Sequence, residues 1–255
     1  MTGNSRVKRC CGLWVCLMLA GSGCVSMPAV ELSPEIASEE LSDHVHFLAQ
    51  PRLKGRKPLS RGSALSRRYM SQQFEALGLA PWEASEGFVQ PFVLGTNVVG
   101  VLPGSDPNLA QEIVILSAHY DHLGRTKEGL CLGAADNAAG VAALLEIAES
   151  LVLKDSKPKR SICFAAFDQE ENGLLGAFAF SCRDDFDPNR IAGVVNIDLL
   201  GRSGFEALEN HLFLSGTEDY REIRRQIQAA AATADITILP AGTDIVGPRA
   251  DHVAF

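Results

Sequence analysis

Five short clusters of histidine and acidic residues are the part of this sequence that could do chemistry. They are His119-Tyr120-Asp121, Asp136-Asn137, Glu170-Glu171, Asp198 and Asp251-His252. Imidazole nitrogens and carboxylate oxygens are the usual ligands of zinc in enzymes, and a carboxylate can also act as a general base. Four clusters lie at or just beyond an apolar run typical of a strand, where an open α/β fold gathers its ligands. The pattern therefore predicts a two-metal hydrolase site.

The first two clusters are weak indications when each is taken alone. Residues two apart in an extended strand end point the same way, so His119 and Asp121 can face one pocket. His122 is off-phase in this scheme and receives no role. Asp136 lies in a run of small residues at a helix start. It could cap that helix, or its two oxygens could bridge two cations.

The remaining clusters can also be interpreted either as metal-binding or catalytic residues or as ordinary surface residues. Glu170 and Glu171 are adjacent and point in different directions, so one could bind a metal while the other faces a substrate; otherwise they form a solvated turn. Asp198 interrupts an apolar run. A buried, unpaired carboxylate is costly, so Asp198 needs a partner such as a cation. Asp251-His252 alone would be an unremarkable surface loop.

Alternating strand-like and helix-like segments would position these clusters. Apolar runs at 97–102, 112–118, 161–167 and 191–200 predict strands, and apolar residues at helical spacing follow Asn137. The predicted fold class is α/β, a three-layer αβα sandwich with a mixed, mostly parallel central sheet. The Lys-, Arg- and Pro-rich stretch 51–62 is predicted to be a solvated connection. His44 and His46 are predicted to be packing or surface residues rather than ligands.

In this order and context, the clusters resemble the co-catalytic zinc aminopeptidase family, which includes bacterial leucyl aminopeptidases and enzymes of the glutamate carboxypeptidase II type. The residues that carry the resemblance are His119-Tyr120-Asp121-His122 with its flanks, the run 133–140, residues 167–173, Asn196-Ile197-Asp198, and the stretch 251–255. The resemblance also covers the Gly55-Arg56 loop and the strand near 97–104, so it extends over nearly all of residues 25–255, which we predict to be one zinc peptidase domain.

The resemblance implies two zinc ions per chain, each held by three protein ligands. Those ligands would be Asp136 shared by both ions, His119 and Asp198 on one ion, and Glu171 and His252 on the other. Glu170 would be the general base, and Asp121 would orient His119. The implied activity is that of a metal-dependent exopeptidase, an aminopeptidase that hydrolyses peptide substrates with a water activated by two zinc ions.

Two alternatives to a peptidase remain open at this point. The sequence also resembles glutaminyl cyclases, which share the same architecture but normally use a single zinc. A noncatalytic remnant is the other alternative, because in relatives the Asp251-His252 motif is followed by a further strand and helix, whereas this sequence stops at Phe255. The sheet is therefore expected to lack its C-terminal strand and helix, and the domain could be C-terminally truncated.

The first 24 residues have the pattern of an export signal. Arg6, Lys8 and Arg9 precede an apolar stretch at 13–20, which is followed by small residues and Cys24. This end resembles a bacterial lipoprotein cleavage box, so we expect membrane attachment through a lipidated Cys24 and a periplasmic or outer-membrane location in a bacterium. Ordinary secretion with a spare cysteine is the alternative. The net charge is −8 without a basic stripe, so nucleic acid is not an expected partner.

Overall fold

A mixed β-sheet with helices on both faces forms the body of the protein. The computed structural model describes residues 32–83, 85–202, 206–242 and 250–255. The helices are α1 (Ser38–Leu48), α2 (Arg61–Ala76), α3 (Ala139–Leu153), α4 (Leu175–Ser181) and α5 (Arg221–Thr233). The strands are β1 (Ala80–Pro81), β2 (Val89–Phe92), β3 (Gly95–Leu102), β4 (Ile113–His119), β5 (Ser161–Phe167), β6 (Ile191–Asn196), β7 (His211–Leu214) and β8 (Thr237–Pro240).

The main sheet has the strand order β1-β3-β5-β4-β6, with β2 also paired to β3. Strand β4 runs parallel to both β5 and β6. Strand β3 runs antiparallel to β5 and to β2, and Phe92 opposite Gly95 leaves only two residues to connect β2 with β3. So short a connection can join only antiparallel strands. Strands β7 and β8 form a separate parallel pair.

Two apolar clusters cover the two faces of this sheet. Helices α1, α2 and α3 pack on one face, against Phe164 of β5 among others. Helix α4 packs on the opposite face, against Cys163 and Phe167 of the same strand. Alternate residues of a strand point to opposite faces, which explains why adjacent residues belong to different clusters. The predicted three-layer α/β fold class is confirmed.

The carboxyl ends of the three parallel strands bring most of the chemical clusters to one edge of the sheet. Strand β4 ends at His119, β5 ends three residues before Glu170, and β6 ends two residues before Asp198. Residues Ser117 of β4 and Asn196 of β6 are paired in register, and the Ser117 hydroxyl donates to Asn196 Oδ1 at 2.8 Å. Parallel pairing therefore places these ligand-bearing loops side by side.

The stretch 51–62 is not a solvated connection, so that prediction is wrong. It contains a 3₁₀ segment, Pro51–Arg56, in which Leu53, Gly55 and Arg56 are buried. Helix α2 then begins after Ser60, whose side chain accepts a hydrogen bond from the Ser63 amide as an N-cap. The charged composition was misleading here, because Arg56 is buried and donates its hydrogen bonds to main-chain carbonyls.

The predicted export signal at residues 1–24, including Cys24, lies outside the described residues. Within the described part of the chain, every helix is too short or too polar to cross a membrane.

Candidate metal centre

One group of potential ligands surrounds the end of β4. The Nε2 atom of His119 lies 3.2 Å from Asp136 Oδ1 and 3.3 Å from Asp198 Oδ1. These three side chains lie close enough together to hold one metal ion. His119 is buried, whereas Asp136 and Asp198 remain partly exposed to solvent. Zinc sites with three protein ligands and an open position are typical of catalytic rather than structural zinc.

A second group shares Asp136 with the first. The Nδ1 atom of His122 lies 2.7 Å from Glu171 Oε1 and 3.8 Å from Asp136 Oδ2. His122, Asp136 and Glu171 form the second set that could hold an ion. The two oxygens of Asp136 thus face two different histidines. This is the arrangement that a carboxylate bridging two cations requires.

An irregular turn, Ala134–Ala138, positions Asp136 between the two groups. Asn137 anchors this turn, because its Nδ2 donates to Ile197 O at 2.9 Å and its Oδ1 accepts from the Gly140 amide at 3.0 Å. The first bond ties the turn to the residue before Asp198, and the second ties it to the start of α3. The small residue Gly140 is needed because a Cβ there would lie 2.2 Å from Asn137 Oδ1.

Glu170 lies beside the first group with a carboxylate that is mostly shielded from solvent. Its Oε2 is 4.0 Å from His119 Nε2. Burial raises the pKa of Glu170 to about 7, with the negative charges of Asp198 and Glu171 adding to the shift and His119 opposing it. A carboxylate with a pKa near neutrality is suited to accept and return a proton.

Asp121 connects Glu170 to His119. The Glu170 amide donates to Asp121 Oδ1 at 3.0 Å, and that same oxygen lies 3.6 Å from His119 Nδ1. Asp121 is 0% exposed. Its carboxylate therefore contacts both the His119 imidazole and the Glu170 main chain. Only the contact with His119 was expected from the sequence.

The carboxylates of the site are suited to divalent cations because they lie close together and some of their oxygens lack hydrogen-bond partners. Among the described residues, buried Asp121 Oδ2 and both carboxylate oxygens of Asp251 lack a hydrogen-bond partner. Burial, together with the negative charges of Glu170, Asp121 and Asp198, raises the pKa of Asp251 to about 8 against the opposing influence of His119. Orphaned carboxylate oxygens are costly, and cations would offset that cost.

The imidazole of His119 responds to the same accumulation of charge. Burial alone would lower the pKa of His119, but contacts with Asp121, Asp136 and Asp198 outweigh burial and raise the pKa well above its usual value. These carboxylates therefore stabilise positive charge at the position of His119. A metal ion in their midst would be stabilised by the same interactions.

Most predicted site residues come together, with one exception and one addition. His119, Asp136, Asp198 and Glu171 belong to the two groups, and Glu170 and Asp121 border them. His252 lies in the 3₁₀ turn Asp251–Ala254 but in neither group, so its role as a ligand stays a prediction. His122 takes the corresponding place beside Glu171.

His122 was missed because strand alternation was applied beyond the end of the strand. Strand β4 ends at His119, and the chain after it is no longer regularly extended. The Gly133 backbone follows an αL conformation against the His122 ring, and a Cβ at Gly133 would lie 2.6 Å from that ring. A His-x-x-His spacing at a strand end was the only local signal, and the small residue opposite it is visible only in the fold.

The fold and the site together define an α/β protein with two adjoining carboxylate–histidine groups on the carboxyl edge of a sheet. The model of "Peptidase family M28" matches residues 97–255. The chain belongs to this family, and the sequence-based recognition of co-catalytic zinc aminopeptidases is confirmed at that level.

Individual relatives agree with this assignment. A protein named "Probable zinc metalloprotease" from Pyrenophora tritici-repentis is 33% identical over 156 residues, which is 60% of this chain. The match covers 33% of that relative, so the chain spans about a third of its length. A "Leucine aminopeptidase 1" from Trichophyton equinum is 27% identical over 143 residues, covering 52% of this chain and 37% of the relative.

Solved structures share the fold at low sequence identity. A leucine aminopeptidase precursor from Bacteroides thetaiotaomicron has a TM-score of 0.62 and 19% identity, covering 91% of this chain and 82% of that one. BSAP, a zinc aminopeptidase from Bacillus subtilis, has a TM-score of 0.65 and 15% identity, with 88% and 83% covered. A glutaminyl cyclase from Bacteroides thetaiotaomicron has a TM-score of 0.61 and 20% identity, with 90% and 81% covered.

The predicted location in a bacterial periplasm or outer membrane is wrong. Curated relatives that match the chain include fungal proteins from Pyrenophora and Phaeosphaeria species and from Yarrowia lipolytica, and the Yarrowia protein is named "Vacuolar membrane protease". These relatives point to a eukaryotic origin. They give no support to membrane attachment through a lipidated cysteine.

Proposed function

We propose that this protein is a zinc-dependent exopeptidase, and specifically an aminopeptidase that acts on peptides with a free N-terminus. The observation that carries the proposal is the sharing of Asp136 between two ligand groups, with one carboxylate oxygen turned to each histidine. A site for two adjoining ions suits peptide hydrolysis. When bound, the ions would act as Lewis acids that polarise the scissile carbonyl and lower the pKa of water.

The protein's own residues would handle the proton and the geometry. Glu170, with its raised pKa, would take a proton from the attacking water and pass it to the departing amine. Asp121 would hold the Glu170 main chain and the His119 ring in place. His119, Asp136 and Asp198 would hold one ion, and Asp136 and Glu171 would hold the other.

Two histidines are candidates for the nitrogen ligand of the second ion. The family resemblance implies His252, whereas the geometry favours His122, whose Nδ1 lies 2.7 Å from Glu171 Oε1. We infer that His122 is that ligand. The single variants His122→Asn and His252→Asn separate the two assignments, because loss of the true ligand should leave about one zinc per chain.

Zinc analysis of both variants in parallel, with His46→Asn as a control for losing an exposed histidine, gives the answer. One zinc in His122→Asn together with two in His252→Asn would support our assignment. The reverse pattern would return the role to His252.

Activity is tested with zinc-loaded protein on aminoacyl anilides and on peptides with free or acetylated N-termini. An aminopeptidase should release amino acids only from the free N-terminus. Absence of both zinc binding and peptide hydrolysis would contradict the proposal and favour the noncatalytic alternative.

A glutaminyl cyclase is the second candidate, because a structure with that activity has the same fold. The paired ligand groups argue against it, since the single-zinc chemistry implied by that resemblance would not need a shared Asp136. A peptide beginning with glutamine distinguishes the two, because cyclisation loses ammonia and keeps every amino acid, whereas aminopeptidase action releases free glutamine.

The domain boundary is a separate proposal. We propose that residues 1–24 are removed as an export signal, as their basic start and apolar stretch indicate. N-terminal sequencing of the mature protein should then begin near residue 24, and a mature protein that retains Met1 would contradict this boundary.

A further inference from the structure

Arg56 is a charged side chain that the proposed chemistry does not use, yet it is 0% exposed. Burying a guanidinium costs several kcal/mol unless its N–H groups find acceptors. Among the described residues, Arg56 donates four hydrogen bonds, and every acceptor is a main-chain carbonyl. Nε donates to Tyr120 O at 2.7 Å, Nη1 to Leu48 O at 2.8 Å and Leu132 O at 2.9 Å, and Nη2 to Gly133 O at 2.7 Å.

Three of the four acceptors belong to the two segments that carry metal ligands. Tyr120 directly follows His119 and lies two residues before His122. Leu132 and Gly133 lead into the turn Ala134–Ala138 that presents Asp136. A single planar group therefore joins the end of β4 to the turn of the shared carboxylate. The third segment, at Leu48, is the last residue of α1.

The residue before Arg56 has the conformation and size that this close approach requires. Gly55 has φ of +67°, which favours glycine, and a Cβ there would lie 1.9 Å from Cys131 O. Any side chain at Gly55 would push the 3₁₀ segment away from the loop before Asp136. The contact of Gly133 with the His122 ring continues the same packing to the second ligand group.

Arg56 also acts on the ligands through its charge. Burial lowers the pKa of Arg56 to about 10, and the nearby charges of Asp121, Asp136 and Glu171 oppose this decrease. The side chain is therefore cationic at neutral pH. This positive charge lies near the carboxylates of Asp136 and Glu171, which belong to the second ligand group.

We propose that Arg56 is a positioning residue of the metal centre, which fixes the spacing between the His119–His122 segment and Asp136 by binding the main chain of both. This proposal rests on the proposed function of the centre in binding two ions. Because all four bonds go to carbonyls, the role depends on the planar fork of donors, which a lysine cannot reproduce.

The test uses cobalt in place of zinc, since its visible absorption bands report ligand geometry. Arg56→Met and Arg56→Lys are compared with the parent protein and with Arg67→Met. Arg67 is a matched control, because its Nη1 donates to the Ser63 and Tyr120 side-chain hydroxyls at 2.7 Å and 3.3 Å and touches no ligand-bearing main chain. We expect Arg56→Met to bind cobalt about 10–100-fold more weakly, as for other residues that orient metal ligands.

The variants also separate positioning from charge. We expect altered cobalt bands in both Arg56 variants, a lower kcat with a smaller change in KM, and parent-like bands in Arg67→Met. Parent-like bands and affinity in Arg56→Met would overturn the proposal. Parent-like behaviour in Arg56→Lys alone would also overturn it, because charge without the fork would then suffice.

Hydrogen exchange on the metal-stripped parent protein tests the same claim without a substitution. The amides of Cys131 and Ala138, bonded to Gly124 O and Gly133 O, should be protected if Arg56 holds this loop before metal binds. Rapid exchange at both amides would contradict the positioning role even if the Arg56 variants do not fold. Failure of the parent to bind cobalt would instead contradict the proposed function, while the exchange result would still show whether this loop is held in place without metal.

Discussion

At the scale of single residues, the chemistry of this protein depends on how one environment divides the roles of neighbouring carboxylates. Glu170 and Glu171 are adjacent in sequence, yet Glu171 contacts His122 while Glu170 lies near His119 with a pKa raised to about 7. Burial and like charges favour the protonated form of Glu170. The carboxylate beside the ligands is thereby suited to transfer protons rather than to hold a cation.

Replacing Glu170 separates proton transfer from metal binding. We expect Glu170→Gln to lower kcat about 10²–10⁴-fold, the usual contribution of a general base, while two zinc ions still bind. Peptide hydrolysis rates and zinc content measured on the same preparation check this. Glu75→Gln, at an exposed position near the end of α2, is the control and should keep parent activity. Loss of zinc together with activity would show that Glu170 is a ligand instead.

Residue types in the sequence, together with the family resemblance, predicted six of the side chains at the site. Asp198 was identified because a carboxylate inside an apolar run needs a partner, and it lies 3.3 Å from His119 Nε2. His122 was not identified, because its direction depends on a loop that follows the strand. Arg56 was not identified either, since its acceptors are carbonyls, which every residue carries.

At the scale of elements, a buried polar junction joins α1 to α2 and α3. His44 of α1 contacts the Tyr69 hydroxyl of α2 through Nδ1 at 2.5 Å and Glu146 Oε1 of α3 through Nε2 at 3.0 Å. Burial lowers the pKa of His44 to about 4. Burial, Glu40 and Glu149 raise the pKa of Glu146 to about 7. Between about pH 4 and 7 the pair therefore holds one titratable proton between the His44 imidazole and the Glu146 carboxyl group.

This junction predicts that stability falls as pH rises from about 6.5 to about 7. Below about pH 6.5 the pair holds one proton in the folded protein, and the unfolded chain also binds one, on His44. As pH rises through about 7, the folded state keeps this proton longer than the unfolded chain does, so its stability falls. Glu146→Gln should remove the fall, and stability should instead rise slightly from pH 6.5 to about 7.5, because only the unfolded chain still loses a proton from His44 there.

Thermal unfolding of zinc-loaded parent and variant at several pH values measures this effect. A difference of 1 kcal/mol corresponds to about 2–4 °C in Tm for a domain of this size. Other acids facing the junction are Glu40 and Asp43 on α1 and Glu149 on α3, and they are unchanged in the variant. Glu39→Gln, exposed on α1, should keep the parent profile. An identical profile for Glu146→Gln would contradict the assignment.

Element boundaries followed well from sequence where packing is regular. The run 161–167 was predicted as a strand and is β5, Ser161–Phe167. The antiparallel direction of β3 relative to β5 did not follow, because it depends on the short connection to β2 and on pairing with residues 60 to 68 positions away. The stretch 51–62 was misjudged because a composition typical of solvent-exposed loops concealed a buried arginine.

At the scale of the whole molecule, the site concentrates acidic side chains, some without hydrogen-bond partners, within an acidic protein. The net charge of the sequence is −8, and the buried oxygens of Asp121 and Asp251 have no hydrogen-bond partner within the described residues. Cations that bind the folded site but not the unfolded chain stabilise the fold by mass action.

Zinc should therefore raise the melting temperature of the whole domain. At free zinc a hundred times the Kd, one site contributes about 2.7 kcal/mol. Calorimetry of protein treated with a chelator and then titrated with zinc measures the increase, with magnesium as a control because it prefers oxygen-only octahedral sites. Asp136→Asn should lose most of the increase. A Tm independent of zinc in the parent protein would contradict a metal centre.

Hydrophobic periodicity and the position of acids after strands predicted the fold class, the four longest strands and the residue types at the site, because both are local properties of the chain. The folded structure was needed to show which histidine contacts Glu171, which oxygen of Asp136 faces which group, and why Arg56 is buried. Those outcomes depend on loops whose contacts join residues far apart in sequence, such as Arg56 and Gly133. A local sequence pattern does not predict where a carbonyl or an imidazole of such a loop will lie, because the conformation of the loop depends on packing against the rest of the fold.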